Sequence, residues 1–263
     1  MKNIKVVILC GGRGTRMREE SELRPKPLIE IGHKPILWHI MKRYSYYGFK
    51  DFIICLGYKG ELIKEYFLNY EAMHNDFTIR LGKKSGIVFH NSHLEKDWRI
   101  TLVDTGKEAQ TGARIKKIEK YIDGDTFMVT YGDGVGDIDV AGLLQFHKKQ
   151  KNIGTITGVH PSSRFGELVI KGGRVKEFNE KPQVKEGFIN GGFFVFSREF
   201  FNYLTRDDNC YLEHKPLETL AKNNQLSAYL HEGFWQCMDT QRELDILNDL
   251  WKQRKAPWKI WKD

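Results

Sequence analysis

The chain has 263 residues, of which 40% are hydrophobic and 29% charged, enough for one large α/β unit or two modest ones. No apolar run approaches the roughly 20 residues of a membrane span, and Met1-Lys2-Asn3 leads into a short strand-like segment rather than a secretory leader, so a cytoplasmic protein without a membrane partner is expected. The net charge of +8 gathers in residues 1–50, which hold eleven Lys or Arg against four acids; no basic helix or aromatic-interleaved stripe accompanies it, so no nucleic-acid partner is expected.

Short continuous apolar runs alternate with helically spaced ones, which predicts strands alternating with helices in a largely parallel sheet. Residues 4–9 read as a buried strand that runs into Leu9-Cys10-Gly11-Gly12-Arg13-Gly14-Thr15-Arg16-Met17. Glycines after a buried strand let backbone N–H groups approach an anion closely. Neither common glycine fingerprint fits. A Walker loop ends in Gly-Lys-Ser/Thr, whereas this one ends Gly14-Thr15-Arg16. A dinucleotide fold wants Gly or Ala where Met17 stands. With Arg13, Arg16 and, inside Pro25-Lys26-Pro27, Lys26 adding positive charge, the loop is a candidate cradle for a triphosphate.

A helix is predicted over 36–44, a second strand over 51–56 and a helix over 61–69; such βαβ units place the loop after the first strand at the carboxyl edge of the sheet. A hairpin follows over 77–89, a strand over 100–104 and a helix over 111–121. The uncharged strand 127–131 ends abruptly in Gly132-Asp133-Gly134, and a helix over 140–150 comes next. Strands are predicted over 155–159, 168–170, 175–178, 193–196 and 226–230, with helices over 215–223 and 242–253. Cys10, Cys55, Cys210 and Cys237 form no Cys-x-x-Cys pair, and Cys10 and Cys55, in strand-like runs, read as small buried hydrophobes in a reducing compartment. The tail, 252–263, mixes Trp258 and Trp261 with lysines, which suits anchoring on a neighbouring surface.

Asp133, flanked by glycines at a strand end, is placed to hold a hard cation, since Mg²⁺ takes one or two carboxylates plus substrate phosphate. A second carboxylate, Asp239 in Phe234-Trp235-Gln236-Cys237-Met238-Asp239-Thr240, precedes a helix and by itself reads as an N-cap with Thr240. Glu180-Lys181-Pro182 and Asn190-Gly191-Gly192 are ordinary turn chemistry one at a time. Together they offer a cation for a second phosphate, an acceptor for hydroxyls and an amide beside an open approach, which suits a sugar phosphate.

These strings, with Gly132-Asp133-Gly134-Val135 and Asn190-Gly191-Gly192-Phe193, resemble the sugar-1-phosphate nucleotidylyltransferases. The likeness is strongest to the glucose-1-phosphate cytidylyltransferase branch, through Ile36-Leu37-Trp38-His39-Ile40-Met41, Thr101-Leu102-Val103-Asp104-Thr105-Gly106, Thr111-Gly112-Ala113-Arg114, Arg164-Phe165-Gly166 and Lys255-Ala256-Pro257-Trp258-Lys259. The resemblance implies a Rossmann-like nucleotidyltransferase fold: α/β, with a mostly parallel central sheet flanked by helices and a small additional β region in the second half. It implies one domain over 1–263, with a nucleotide-binding half (1–135), a sugar-phosphate-binding half (136–245) and a tail (246–263).

It further implies transfer of a cytidylyl group from CTP to α-D-glucose 1-phosphate by in-line attack, with Mg²⁺ shared by Asp133 and Asp239. Arg16 and Lys26 would stabilise the α-phosphate and the departing pyrophosphate, and Lys181 the acceptor phosphate. Leu9, Gly11, Gly12, Arg13, Gly14, Thr15, Thr111, Gly112, Arg114 and Gly132 would surround the nucleotide. Glu180, Asn190, Gly191 and Trp235 would address the sugar. A homo-oligomer is implied as well. The chain departs from that branch at Ala113, where a second glycine is usual, and at Leu212 and Lys215, where Glu213-His214-Lys215-Pro216 stands for Trp-Glu-x-Glu-Pro. Alternatives keep the reaction with UTP, dTTP or another sugar 1-phosphate, or drop it for a nucleotide-sugar-binding regulator. Such a regulator would be marked by loss of Arg16, Lys26 or Asp133, and all three are present. A nicotinamide oxidoreductase is disfavoured by Met17 and by a stretch over 34–44 without a ribose-binding acid.

Overall fold

The computed structural model describes residues 4–14, 23–82, 86–91, 93–161, 167–171, 174–179 and 187–262. Strand β1 (Lys5–Cys10) is followed, among the described residues, by a 3-10 turn at Lys26–Leu28, the short hairpin β2 (Glu30–Ile31) and β3 (Lys34–Pro35), and helix α1 (Ile36–Tyr46). Then come β4 (Asp51–Leu56), α2 (Gly60–Leu68), α3 (Tyr70–His74), the hairpin β5 (Phe77–Ile79) and β6 (Ile87–Phe89), β7 (Arg99–Asp104) and α4 (Thr111–Lys117). The remainder is β8 (Thr126–Tyr131), β9 (Gly134–Gly136), α5 (Val140–Gln150), β10 (Gly154–Val159), β11 (Glu167–Lys171), β12 (Arg174–Asn179), β13 (Ile189–Ser197), α6 (Lys215–Lys222), β14 (Leu226–His231), β15 (Trp235–Cys237) and α7 (Gln241–Lys252).

Seven strands form the central sheet in the order β14-β10-β13-β8-β1-β4-β7. All neighbours run parallel except β13, which is antiparallel to both β10 and β8. The separate antiparallel ribbon β11-β12 is the small β region expected in the second half. A sheet covered on both faces needs continuous apolar strands rather than alternating ones, and β1 supplies one. Val6, Ile8 and Cys10 enter a core built with α1, α5 and α7. Val7 and Leu9 enter another with α4, α6 and the 3-10 turn Arg198–Tyr203. Each fully buried aliphatic side chain contributes about 1.5–3 kcal/mol, so β1 cannot slip in register without inverting both sets.

The chain leaves β1 towards β4 and β7, then crosses back to add β8 on the other side of β1. Loops leaving β1 and β8 therefore diverge, and the crevice between them at the carboxyl edge is where open α/β sheets bind ligands. Leu9 pairs with Tyr131 there, and the Gly132 N–H donates to the Leu9 carbonyl at 3.1 Å.

Two expectations need correction. The helix predicted over 111–121 is α4 followed by a 3-10 turn at Glu119–Tyr121, because Tyr121 and Ile122 bond back three residues, to the carbonyls of Ile118 and Glu119. The tail does not offer its tryptophans to a neighbouring surface. Trp258 is 0% exposed and its ring lies 6.2 Å from that of His39 on α1, while Arg43 donates to the Trp258 carbonyl at 3.2 Å. Buried polar groups on α1 need partners, and the tail provides them from within the same chain.

Candidate active site

A cavity of about 500 Å³ opens at the crevice between β1 and β8. Its charged end is built by three segments far apart in sequence. Pro25 and Pro27 stiffen the 3-10 turn that carries Lys26, whose side chain is buried. The Lys26 ammonium donates to Asp133 Oδ2 at 2.7 Å and to Asp239 Oδ1. Burial alone would pull the Lys26 pKa down, but the charges and hydrogen bonds of Asp133 and Asp239 outweigh it and the net shift is upward. The ammonium therefore stays protonated at neutral pH.

Asp133 and Asp239 are brought together by a ribbon that sequence reading misses. Strand β9, directly after Asp133, pairs antiparallel with β15, which ends one residue short of Asp239, and the intervening Met238 N–H donates to the Asp133 carbonyl at 2.8 Å. The N-cap of α7 is Thr240, in a capping box with Glu243, so the Asp239 carboxylate turns to Lys26 instead of capping the helix.

Arg114 lies under the glycine loop. It is 4% exposed, and its guanidinium donates to the carbonyls of Leu56 (2.9 Å), Gly106 (2.7 Å) and Gly11 (3.0 Å) and to the Thr105 hydroxyl (2.8 Å). A Cβ at Gly11 would sit 2.1 Å from the guanidinium carbon; the loop begins with glycine because the arginine fills that space. A planar fork with several donors suits this task, and a lysine would not.

The cavity wall also carries hydroxyls and one further carboxylate. Tyr131 donates to Glu213 Oε1, and Thr111 donates to Glu213 Oε2 at 2.7 Å. Asn190 Nδ2 in turn donates to the Tyr131 hydroxyl at 3.2 Å, and the Trp235 indole N–H donates to the Gly191 carbonyl at 2.8 Å.

Of the residues singled out by sequence, Leu9, Gly11, Gly12, Gly14, Lys26, Thr111, Arg114, Gly132, Asp133 and Asp239 line this cavity. Arg13 stands at the rim, paired with Glu108 at 2.5 Å. Gly112 lies in α4 beneath Thr111. Asn190 reaches the cavity wall through Tyr131, while Gly191 and Trp235, bonded to each other, are not among its lining residues. Thr15, Arg16, Glu180 and Lys181 lie outside the described residues, as does Arg164-Phe165-Gly166. Sequence reading missed Tyr131 and treated Glu213 only as a neighbour of departures from the family pattern; both line the cavity.

The donor set suits a divalent cation. Asp133 and Asp239 converge on one point, which the Lys26 ammonium marks, and a hard cation takes such carboxylates together with substrate oxygens. Among the described residues no group of three or more His, Cys, Asp or Glu gathers at ligating distance, so phosphate and water oxygens would complete the shell. No helix among the described residues is long and apolar enough to cross a membrane. None of the four cysteines forms a disulfide.

The profile of the nucleotidyl transferase family matches residues 5–253. A glucose-1-phosphate cytidylyltransferase of Salmonella typhimurium is 48% identical over 259 residues, covering 98% of this chain and 100% of that one. The protein of the same name from Salmonella typhi is also 48% identical over 98% and 100% of the two chains. Among solved structures, HddC from Yersinia pseudotuberculosis superposes with a TM-score of 0.68 over 94% of this chain and 99% of its own at 23% identity, which bears on the fold alone. The chain belongs to the nucleotidyl transferase family.

Proposed function

We propose that this protein transfers the cytidylyl group of CTP to α-D-glucose 1-phosphate, forming CDP-glucose and releasing pyrophosphate. The observation that carries the proposal is the meeting of Lys26, Asp133 and Asp239 at the crevice between β1 and β8, in a chain so similar to the Salmonella cytidylyltransferases. A phosphate oxygen of the sugar phosphate attacks the α-phosphorus, a new phosphoanhydride bond forms, and the bond to pyrophosphate breaks. No protein nucleophile is needed, so positioning and charge neutralisation provide the catalysis.

Lys26 already sits as a protonated ammonium between two carboxylates. With the triphosphate in place it turns to the phosphate oxygens and offsets the charge that grows on the leaving pyrophosphate. Asp133 and Asp239 would hold Mg²⁺, which supplies Lewis-acid neutralisation of phosphate charge when bound. Arg114 holds the carbonyl of Gly11, so the loop keeps its shape as the polyanion docks. Arg16 and Lys181 complete the proposal as cations for the donor and acceptor phosphates, and Glu180, Asn190, Gly191 and Trp235 as the sugar side.

The 1–135 and 136–245 portions act as the nucleotide and sugar-phosphate halves of one catalytic unit in the cytoplasm. A homo-oligomer belongs to the same proposal; its support is the apolar side chains that β5 and β6 expose, Ile79, Ile87 and Val88, and light scattering checks it. The deciding experiment measures pyrophosphate release with each common nucleoside triphosphate and α-D-glucose 1-phosphate. Turnover is expected with CTP and Mg²⁺ and lost with chelator; rapid turnover with UTP and none with CTP overturns the donor assignment.

A further inference from the structure

Glu213 is a charge that the transfer mechanism leaves without a task. A cavity that receives a polyphosphate gains from cations, and the two carboxylates at its charged end hold Lys26 between them. Among the described residues Glu213 has only neutral partners, the hydroxyls of Tyr131 and Thr111. Burial, reinforced by the nearby Glu213 charge, pushes the Tyr131 phenol upward, so it keeps its proton and remains a donor.

The arrangement is held tightly. The Tyr131 ring occupies the space that a Cβ at Gly192 would need, 2.4 Å away, and Gly192 has φ +78°. The Thr111 hydroxyl also accepts from the Leu212 N–H at 2.9 Å, so Glu213 and the start of α4 are tied at two adjacent points. A carboxylate has about four lone-pair sites, and these two bonds use one on each oxygen. The side chain is half-buried and lines the cavity. Phosphate oxygens repel it, so what faces it must bring a donor.

We infer that Glu213 is a specificity-determining acceptor, taking a hydrogen bond from an N–H or O–H of the bound ligand and selecting ligands that carry that donor. The inference rests on the cytidylyl-transfer reading for its probes. Two parts of a cytidine diphosphate sugar present such donors: the exocyclic amine of cytosine, where uracil has a carbonyl instead, and the hexose hydroxyls. A site that offers a charged acceptor favours the ligand that brings a donor to it over the analogue that lacks one.

The test is titration calorimetry of the full chain and of Glu213→Gln with CDP-glucose, UDP-glucose and CDP-deoxyglucoses lacking one hydroxyl each. The wild-type preference for CDP-glucose is expected to shrink by about tenfold or more in one arm and to stay within about twofold in the other. Loss of base preference assigns the cytosine amine, and loss of preference over one deoxy sugar assigns that hydroxyl. Weaker binding of all ligands by a common factor, or no change at all, overturns the inference and leaves Glu213 as a tie between α4 and β8. Should Glu213→Gln not fold, Glu213→Asp, which draws the carboxylate back by one methylene, is read by the same ratios. A wild-type protein that releases no pyrophosphate from CTP sinks the transfer reading, whereas the binding ratios still judge Glu213.

Discussion

Two groups in the cavity wall handle charge in opposite ways. In one, a single ammonium, Lys26, lies between the carboxylates of Asp133 and Asp239; in the other, the Glu213 carboxylate is answered by two hydroxyls. An ion pair can exchange one charged partner for another with little net change in electrostatic energy, which is what the proposed transfer asks of Lys26. A carboxylate held by neutral donors is the arrangement from which the acceptor role of Glu213 is inferred.

Breaking the charged end has the largest expected effect. Lys26→Met leaves Asp133 and Asp239 facing each other without the ammonium, and on the proposed mechanism also removes the group that neutralises phosphate. A loss of about 10²–10³ in kcat is expected, measured as pyrophosphate release at saturating substrates. If Lys26→Met keeps more than about a third of wild-type kcat, the ion pair is structural and the contrast between the two groups fails.

Next in size is Arg114→Lys, which leaves the charge in place and removes the fork. Lysine cannot span the Leu56, Gly106 and Gly11 carbonyls together, so some of these buried acceptors lose their donor at about 1–3 kcal/mol each. Urea unfolding should show that loss, and the KM for the triphosphate should rise by about tenfold while kcat changes less, because the loop loses its support rather than the reaction its cation. An unchanged KM with a collapsed kcat would instead assign Arg114 to the reacting phosphates.

Much of this was legible in the sequence, for physical reasons that differ by segment. The continuous apolar runs of β1, β4 and β8 could belong only to strands buried on both faces, and glycines at the ends of β1 and β8 marked where backbone must come close to a ligand. Lys26, Asp133 and Asp239 stood out as charges beside such ends. What stayed hidden depends on partners remote in sequence. The ribbon of β9 and β15 has three residues in each strand, too few to show a period, yet it aligns the two aspartates. Tyr131 read as the last apolar residue of its strand, and only the fold shows its hydroxyl against Glu213, 82 positions away. Arg114 matched a nucleotide-facing segment by pattern, and its guanidinium proves to be spent on backbone carbonyls that no spacing rule connects.

The smallest expected effect tests how firmly the charged end is held from behind. The β2-β3 hairpin follows directly on the Lys26 turn, and His39 of α1 grips it: the Nε2–H donates to the Ile31 carbonyl at 2.8 Å, while Nδ1 accepts from the Trp258 indole at 3.4 Å. Both ring nitrogens are used by the neutral imidazole, and burial pushes its pKa down to about 4. An unfolded histidine titrates near 6.5, so between about pH 6.5 and 4 the unfolded chain binds a proton that the folded one refuses. Stability is therefore full above about pH 6.5 and falls as the pH drops through that window, by about 1.4 kcal/mol per pH unit for this one group. His147, also pushed down to about 4 by burial, adds a parallel slope. Urea midpoints measured from pH 7.5 to 4.5 should fall accordingly, and His39→Gln should flatten the curve by one proton's worth while starting lower at pH 7.5. A variant whose pH slope matches the wild type would show that His39 titrates normally, and that the tail is not what keeps the Lys26 turn in register.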